Sequence, residues 1–194
     1  MRFLAFAALP ALSFLYLSTA LAAPAQQHLT LTPNNTQARL QASSAVSSID
    51  GTFEKVSGSL SYNLEEQSCH VDLTMNVDSL KVGSALIKGV MLSGLMLDSD
   101  AHPTMHYVGD CTPKIIHGKL HTQLVGTLTM RGQTHPLTFA VQMHFTGNTL
   151  TSIASNAEFD QRKWGLSTLL HTVDPMVKTQ TLITLPAPNS ATAP

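Results

Sequence analysis

Cys69-His70-Val71-Asp72-Leu73-Thr74-Met75-Asn76-Val77-Asp78 carries an apolar side chain at every odd position and a polar one at every even position. A period of two belongs to a β-strand with one face buried and the other wetted. The same parity returns downstream. From Pro136 to Phe145 the odd positions hold the bulk (Leu137, Phe139, Val141, Met143), and from Leu120 to Met130 the even ones do (Leu120, Leu124, Leu128, Met130).

The turns between these runs test whether their faces agree. With Arg131-Gly132-Gln133-Thr134 as a four-residue loop, Met130 pairs with His135, Leu128 with Leu137, Gly126 with Phe139 and Leu124 with Val141. With His117-Gly118 as a two-residue hairpin turn, Tyr107 faces Leu128 and Met105 faces Met130. A one-residue slip would send every one of these side chains to the wrong side. Strands over 104–111, 119–130 and 135–146 therefore form an antiparallel meander with one apolar and one polar face. Glu54 to Leu64, Thr151 to Asp160, Val177 to Leu185, Thr36 to Ser44 and His28 to Thr32 supply further strands. The fold class is all-β, with about eight antiparallel strands in a barrel or sandwich.

Ser84 to Leu97 breaks the alternation. Leu86, Val90, Met91 and Leu95 share a helical face, so a short helical insert links the strand at Cys69 to the one at Met105. Antiparallel pairing of those two strands, with Met75 opposite Met105, also brings Cys69 opposite Cys111. These are the chain's two cysteines, and the register predicts a disulfide between them.

Length and charge narrow the class. The chain has 194 residues, 12% of them charged, and a formal net charge of −1; soluble domains average about 25% charged. That balance gives no basic footprint for nucleic acid and no polybasic membrane arm. Residues 1–22 hold 17 apolar residues and one charge, Arg2, and end in Ala20-Leu21-Ala22. This is the layout of a secretory signal peptide cleaved after Ala22, and predicts a periplasmic or secreted protein with no membrane span in the mature chain. The folded domain is expected over 27–185, followed by a Pro/Ala tail over 186–194.

Candidate chemistry is sparse. Nine histidines invite a metal reading. However, His102-x3-His106 and His117-x3-His121 straddle loops and strands, where helical ligand spacing has no meaning. The reading is solvated surface imidazoles, with His121 and His144 as cross-strand neighbours, and no metal. Glu65-Glu66 and Asp98-Ser99-Asp100 read as turn acids. With no Gly-x-Ser-x-Gly, P-loop or Cys-x-x-Cys, no catalytic residue is expected and the protein reads as a non-enzyme.

Four strings together resemble the YceI-like family: Gly51-Thr52-Phe53-Glu54-Lys55-Val56-Ser57-Gly58; Val77-Asp78-Ser79-Leu80, with Leu97-Asp98-x4-Pro103-x3-Tyr107 after the insert; Gly126-Thr127-Leu128-Thr129-Met130-Arg131-Gly132-Gln133-Thr134-His135-Pro136-Leu137-Thr138-Phe139; and Asp160-Gln161-Arg162-Lys163-Trp164-Gly165-Leu166. The resemblance implies an eight-stranded antiparallel lipocalin-like β-barrel. It would bind a polyisoprenoid, quinone-like lipid or fatty-acid derivative inside, with no other cofactor. The apolar face then becomes the lining: Val71, Leu73, Met75, Val77, Tyr107, Leu124, Leu128, Met130, Phe139, Val141 and Phe145, with Met91 and Leu95 of the insert capping or flanking it. The family's frequent Arg-Asp pair in the insert is Ile87-Lys88 here. The apolar insert also suggests either a greasier rim to the barrel or a contact with a second copy, a homodimer. The alternative is an envelope or stress-associated barrel filled by its own side chains.

Overall fold

A computed structural model describes residues 26–44, 48–166 and 173–186. The signal segment over 1–22 and tail residues 187–194 lie outside the described residues. The strands, in chain order, are β1 (Gln27–Leu31), β2 (Thr36–Ser44), β3 (Ser48–Phe53), β4 (Val56–Asn63), β5 (Ser68–Asn76) and β6 (Leu80–Val82), then β7 (Thr104–Ile116), β8 (Lys119–Met130), β9 (Gln133–Thr146), β10 (Thr149–Asp160) and β11 (Val173–Thr184). One helix, α1 (Ala85–Leu92), lies between β6 and β7, and 3-10 turns occupy Val77–Ser79 and Gln161–Trp164.

All the strands belong to one antiparallel sheet, in the order β1-β4-β5-β7-β8-β9-β10-β11-β2-β3-β6, that curls around an apolar core. This corrects the expected eight-stranded closed barrel. Among the described residues there are eleven strands, and no ladder joins β1 to β6. The unforeseen strands are β3 and β6. The first carries only Ile49 and Phe53 as bulky groups, and the second is three residues long, so neither shows a clear period of two. They arise where long extended runs break. Glu54-Lys55 separates β3 from β4, the 3-10 turn separates β5 from β6, and the two breaks face each other. The Glu54 N–H donates to Ser79 O at 3.1 Å, and the Asn76 N–H to Lys55 O at 3.0 Å.

The central registers follow from parity. Met75 lies opposite Met105, Leu73 opposite Tyr107, and Tyr107 opposite Leu128. His117 (φ 49°) and Gly118 (φ 74°) make the tight turn of the β7–β8 hairpin. The β8–β9 register differs from the expected one. Leu128 faces His135, Gly126 faces Leu137, Leu124 faces Phe139, and Met130 faces Gln133. The loop is two residues, Arg131 (φ 51°) and Gly132 (φ 69°), not four. Two successive left-handed residues match the right-handed twist of the flanking strands, which a longer loop does not need to do. A shift of two leaves every side chain on its expected face but changes its partner. His121 and His144 are therefore not opposed.

With Leu137 opposite it, Gly126 does not make room for Phe139. It makes room for a hydroxyl. Tyr107 Oη lies 3.1 Å from both Leu124 O and Leu137 O, to which it donates, and its ring meets Phe139 edge-on at 4.9 Å. A Cβ at Gly126 would sit 2.1 Å from Val108 O and 2.8 Å from Tyr107 Oη. Gly126→Ala should destabilise the protein by about 3 kcal/mol or more, since backbone on a central strand cannot yield. A urea titration with an unchanged midpoint would contradict this packing.

The Cys69–Cys111 disulfide is formed, with Cα atoms 4.8 Å apart. It joins β5 to β7 one step beyond the pair His70–Asp110. Such a bond is consistent with an extracytoplasmic location. Among the described residues, no helix is long and apolar enough to cross a membrane.

Candidate functional site

The inner face of the sheet does not close on itself. It lines a cavity of about 280 Å³. On β5 the wall runs from Cys69 to Met75 and on β7 from Cys111 to Met105, seven residues each, a span of about 20 Å at the rise of a β-strand. Leu86, Ile87, Val90 and Met91 of α1 complete the wall at one end, and Leu64 and Ser68 at the other. A small volume spread over that length describes a narrow, elongated space.

The chemistry of the wall is uniform. Among the described residues its polar side chains are Tyr62, Asn63, Ser68, Tyr107, Ser155, Gln161, Thr179 and Thr181, and no Asp, Glu, Lys, Arg or His lines it. Several of the polar groups already have partners. Asn63 Oδ1 accepts from the Glu65 and Glu66 N–H groups, and Gln161 Nε2 donates to Asp174 O. Burial and the Asp110 charge hold the Tyr107 hydroxyl above its ordinary pKa, so it stays a neutral donor. No buried side-chain polar atom among the described residues lacks a partner. What the wall offers a ligand is dispersion and dehydration, with little directional bonding.

Of the expected lining residues, Val71, Leu73, Met75, Met91, Tyr107, Leu124, Leu128, Met130, Phe139 and Val141 meet in the wall. Three stand elsewhere. Val77 is buried beside the cavity, at the start of the 3-10 turn. Leu95 is 65% exposed and Phe145 50% exposed. For Leu95 the cause is local. Helical hydrogen bonding stops at Leu92, and the following turns, with Met96 N–H donating to Ser93 O and Leu97 N–H to Met91 O, swing Met96 and Leu97 inward instead. Phe145 lies past the end of the β8–β9 ladder, where β9 has left the core. Sequence reasoning missed the far wall: Leu40 and Ala42 on β2, Phe53 on β3, and Val173, Val177 and Ile183 on β11. The odd-position alternation from Val173 to Ile183 was the available signal.

One rim of the cavity is tied by a single cation. Arg131 donates from Nη1 to Gly165 O at 2.6 Å and from Nη2 to Gly94 O at 3.0 Å. It thereby links the β8–β9 turn to the insert and to the 3-10 turn that seats Trp164. The buried Trp164 donates from Nε1 to Leu128 O at 3.0 Å and packs edge-on against Phe159 and His135. Asp160 caps that turn through the Arg162 backbone N–H and grips the Arg162 guanidinium, which holds the carboxyl below its usual range. Arg131→Ala should cost about 1–2 kcal/mol and speed amide exchange at Met96 and Leu97 roughly tenfold. Unaltered exchange there would show that the insert is held without it.

The outer face carries His70 Nδ1 against Asp110 Oδ1 at 2.8 Å and His106 Nε2 against Asp72 Oδ1 at 2.9 Å. These imidazoles are bonded to carboxylates across strands, not merely solvated. No cluster of three or more His, Cys, Asp or Glu among the described residues could hold a metal. In the insert, Ile87 faces the cavity, and Lys88 donates from Nζ to Asp78 O at 2.9 Å on the outside.

A curled antiparallel sheet around an apolar tunnel suits several families, and the sequence decides between them. The model of the YceI-like domain matches residues 29–186. The chain belongs to the YceI-like family. Among solved structures, BcnA of Burkholderia cenocepacia is 14% identical, with a TM-score of 0.68 over 78% of this chain and 96% of that one. A polyisoprenoid binding domain from Saccharophagus degradans, implicated in plant cell wall breakdown, is 12% identical, with a TM-score of 0.56 over 82% of this chain and 98% of its own. The YceI protein of Campylobacter jejuni is 12% identical, with a TM-score of 0.57 over 71% and 85%. At these identities the likeness is one of fold. No curated protein matches the sequence.

Proposed function

We propose that this YceI-like protein is a non-enzymatic carrier that holds one long apolar molecule along the cavity. The cargo would be a polyisoprenoid, a quinone-like lipid or a fatty-acid derivative. The observation that carries the reading is the wall: an elongated cavity of about 280 Å³ in which, among the described residues, the only ionisable groups are the phenols of Tyr62 and Tyr107. A charged cargo would be desolvated there without compensation, whereas an alkyl or prenyl chain loses only its contact with water. The Saccharophagus degradans domain, a polyisoprenoid binder by name, is in keeping with this. Six methionines in the described core, among them Met75, Met91, Met105 and Met130, give a polarisable wall that adapts to a flexible chain.

The compartment in this reading is the periplasm or the extracellular space, reached by cleavage after Ala22. A homodimer would cover Leu86 and Leu95, which the insert leaves exposed. Native mass spectrometry of purified protein, followed by organic extraction, tests the central claim. A co-purified apolar molecule of a few hundred daltons is expected. No adduct, together with no uptake of a fluorescent isoprenoid, would favour a barrel that only fills itself.

A further inference from the structure

The sheet forks at the end remote from α1. The β5–β7 ladder ends at His70–Asp110, and the β8–β9 ladder ends at Thr122–Val141. Beyond those points β7 and β8 continue together, through Pro113–Thr122, Lys114–His121 and Ile115–Leu120 to Ile116–Lys119. They pair with no third strand among the described residues. On the other side of the fork β9 continues with β10, from Gln142–Ala154 to Thr146–Thr149. Pro113 fits this arrangement, because a proline is tolerated where a strand has lost a neighbour.

The free β7–β8 ribbon is amphipathic in an unusual way. Ile115 and Leu120 face each other with the same parity as Tyr107–Leu128 and Cys111–Leu124, which line the cavity. The apolar row of the wall thus runs on into water, where Ile115 is 74% and Leu120 57% exposed. Across the fork, Phe145 continues the row of Phe139, Val141 and Met143 in the same manner. A two-stranded ribbon is marginal by itself, and these side chains add nothing to the core. Charge adds a second observation. From Cys111 to Ala157 there is no Asp or Glu, while Lys114 and Lys119 flank the exposed apolar pair. The acids at this end are Glu65 and Glu66 of the β4–β5 turn and Asp110 at the base of the fork, which is paired with His70.

We propose that the forked end is a docking surface for a bilayer with anionic headgroups. Ile115 and Leu120 enter the acyl boundary, with Phe145 beside them, and Lys114 and Lys119 meet the headgroup phosphates. A ribbon with an exposed apolar pair on one face and two lysines, without an acid, on the other matches that surface in both polarity and charge when it enters tip-first. The fork also places the break between β8 and β9 at the membrane; the β9 row Val141, Met143 and Phe145 runs from cavity to bilayer without a polar side chain, and on the β7–β8 ribbon only the pair Pro113–Thr122 intervenes.

Flotation with cargo-free vesicles tests this independently of what the cavity holds. Equal parts of phosphatidylglycerol and phosphatidylcholine are compared with pure phosphatidylcholine. Wild type and variants share one N-terminus, so differences between them report the fork. Wild type should bind the anionic vesicles. Ile115→Ser with Leu120→Ser should lower partitioning at least tenfold, and Lys114→Gln with Lys119→Gln about 30-fold on anionic vesicles alone. Melting temperatures should hold, since all four residues are exposed. Fluorescent-isoprenoid uptake in vesicle-free solution should also persist in the Ile115/Leu120 variant, which separates failure here from failure of the carrier reading. Equal flotation of all proteins, or no flotation of wild type, overturns the proposal. So does a dimer that the Ile115/Leu120 variant dissolves while vesicle binding is absent, because the fork would then be a contact between copies.

Discussion

Leu128→Glu should abolish uptake of a fluorescent polyisoprenoid, while Gln142→Glu leaves it within about twofold. The contrast rests on parity. Leu128 is buried in the wall near the end of β8, opposite His135 on one side and Tyr107 on the other. Gln142 is on the outer face of β9 and exposed. Trp164 Nε1 already bonds the backbone carbonyl at 128, and no cation among the described residues lines the cavity to pair with a carboxylate there. An unpaired charge in such a site either protonates or draws in water, and both oppose an apolar guest. The substitution also threatens the fold, so a second variant keeps the test decisive. Val71→Trp adds bulk to the wall without adding charge. In a cavity of about 280 Å³ it should lower affinity at least a hundredfold while the protein still melts cooperatively, because the indole occupies space the wall leaves empty. Normal uptake by a folded Val71→Trp protein would place the ligand elsewhere.

What could be read from the sequence was mostly parity, and what could not was mostly closure. Alternation over Cys69–Asp78 and Leu120–Phe145 settled which side chains face inward. Side-chain direction has a period of two and survives even-numbered register errors. That is why the two-residue error at Arg131-Gly132 moved Leu128 from Leu137 to His135 without moving it out of the wall. The Cys69–Cys111 pairing was legible for the same reason, since it needed only the β5–β7 register. The breaks at Glu54-Lys55 and Val77–Ser79 were not legible. They depend on two distant segments meeting, and β6 is too short to show a pattern. Leu95 misled because helical spacing was extended past Leu92, where the chain had turned. Arg131 could not be read as a tether at all. Its two acceptors are backbone carbonyls 34 and 37 residues away, and no side-chain type marks a carbonyl.

Replacing both cysteines by serine should have the largest effect on stability. The bond closes a loop across 42 residues of sequence. In the chain-entropy model that constraint raises the free energy of the unfolded state by about 4 kcal/mol. For a domain of this size the loss corresponds to a fall in Tm of roughly 8–16 °C. The native contribution is local as well. The bond is a cross-link one step past the end of the β5–β7 ladder, where the β7–β8 ribbon begins to run free, and both cysteines line the cavity. Amides at the start of β5, at Cys69 and His70, and at Asp110–Thr112 should therefore lose more exchange protection than those at Met75 and Met105, at the tied end. Wild type treated with a reductant should melt close to the double variant, because the two share the unconstrained unfolded chain. A double variant that melts within about 2 °C of wild type, well inside the shift the model predicts, would mean that the ladder already holds this end closed. The cross-link would then follow from the register and add almost nothing to it.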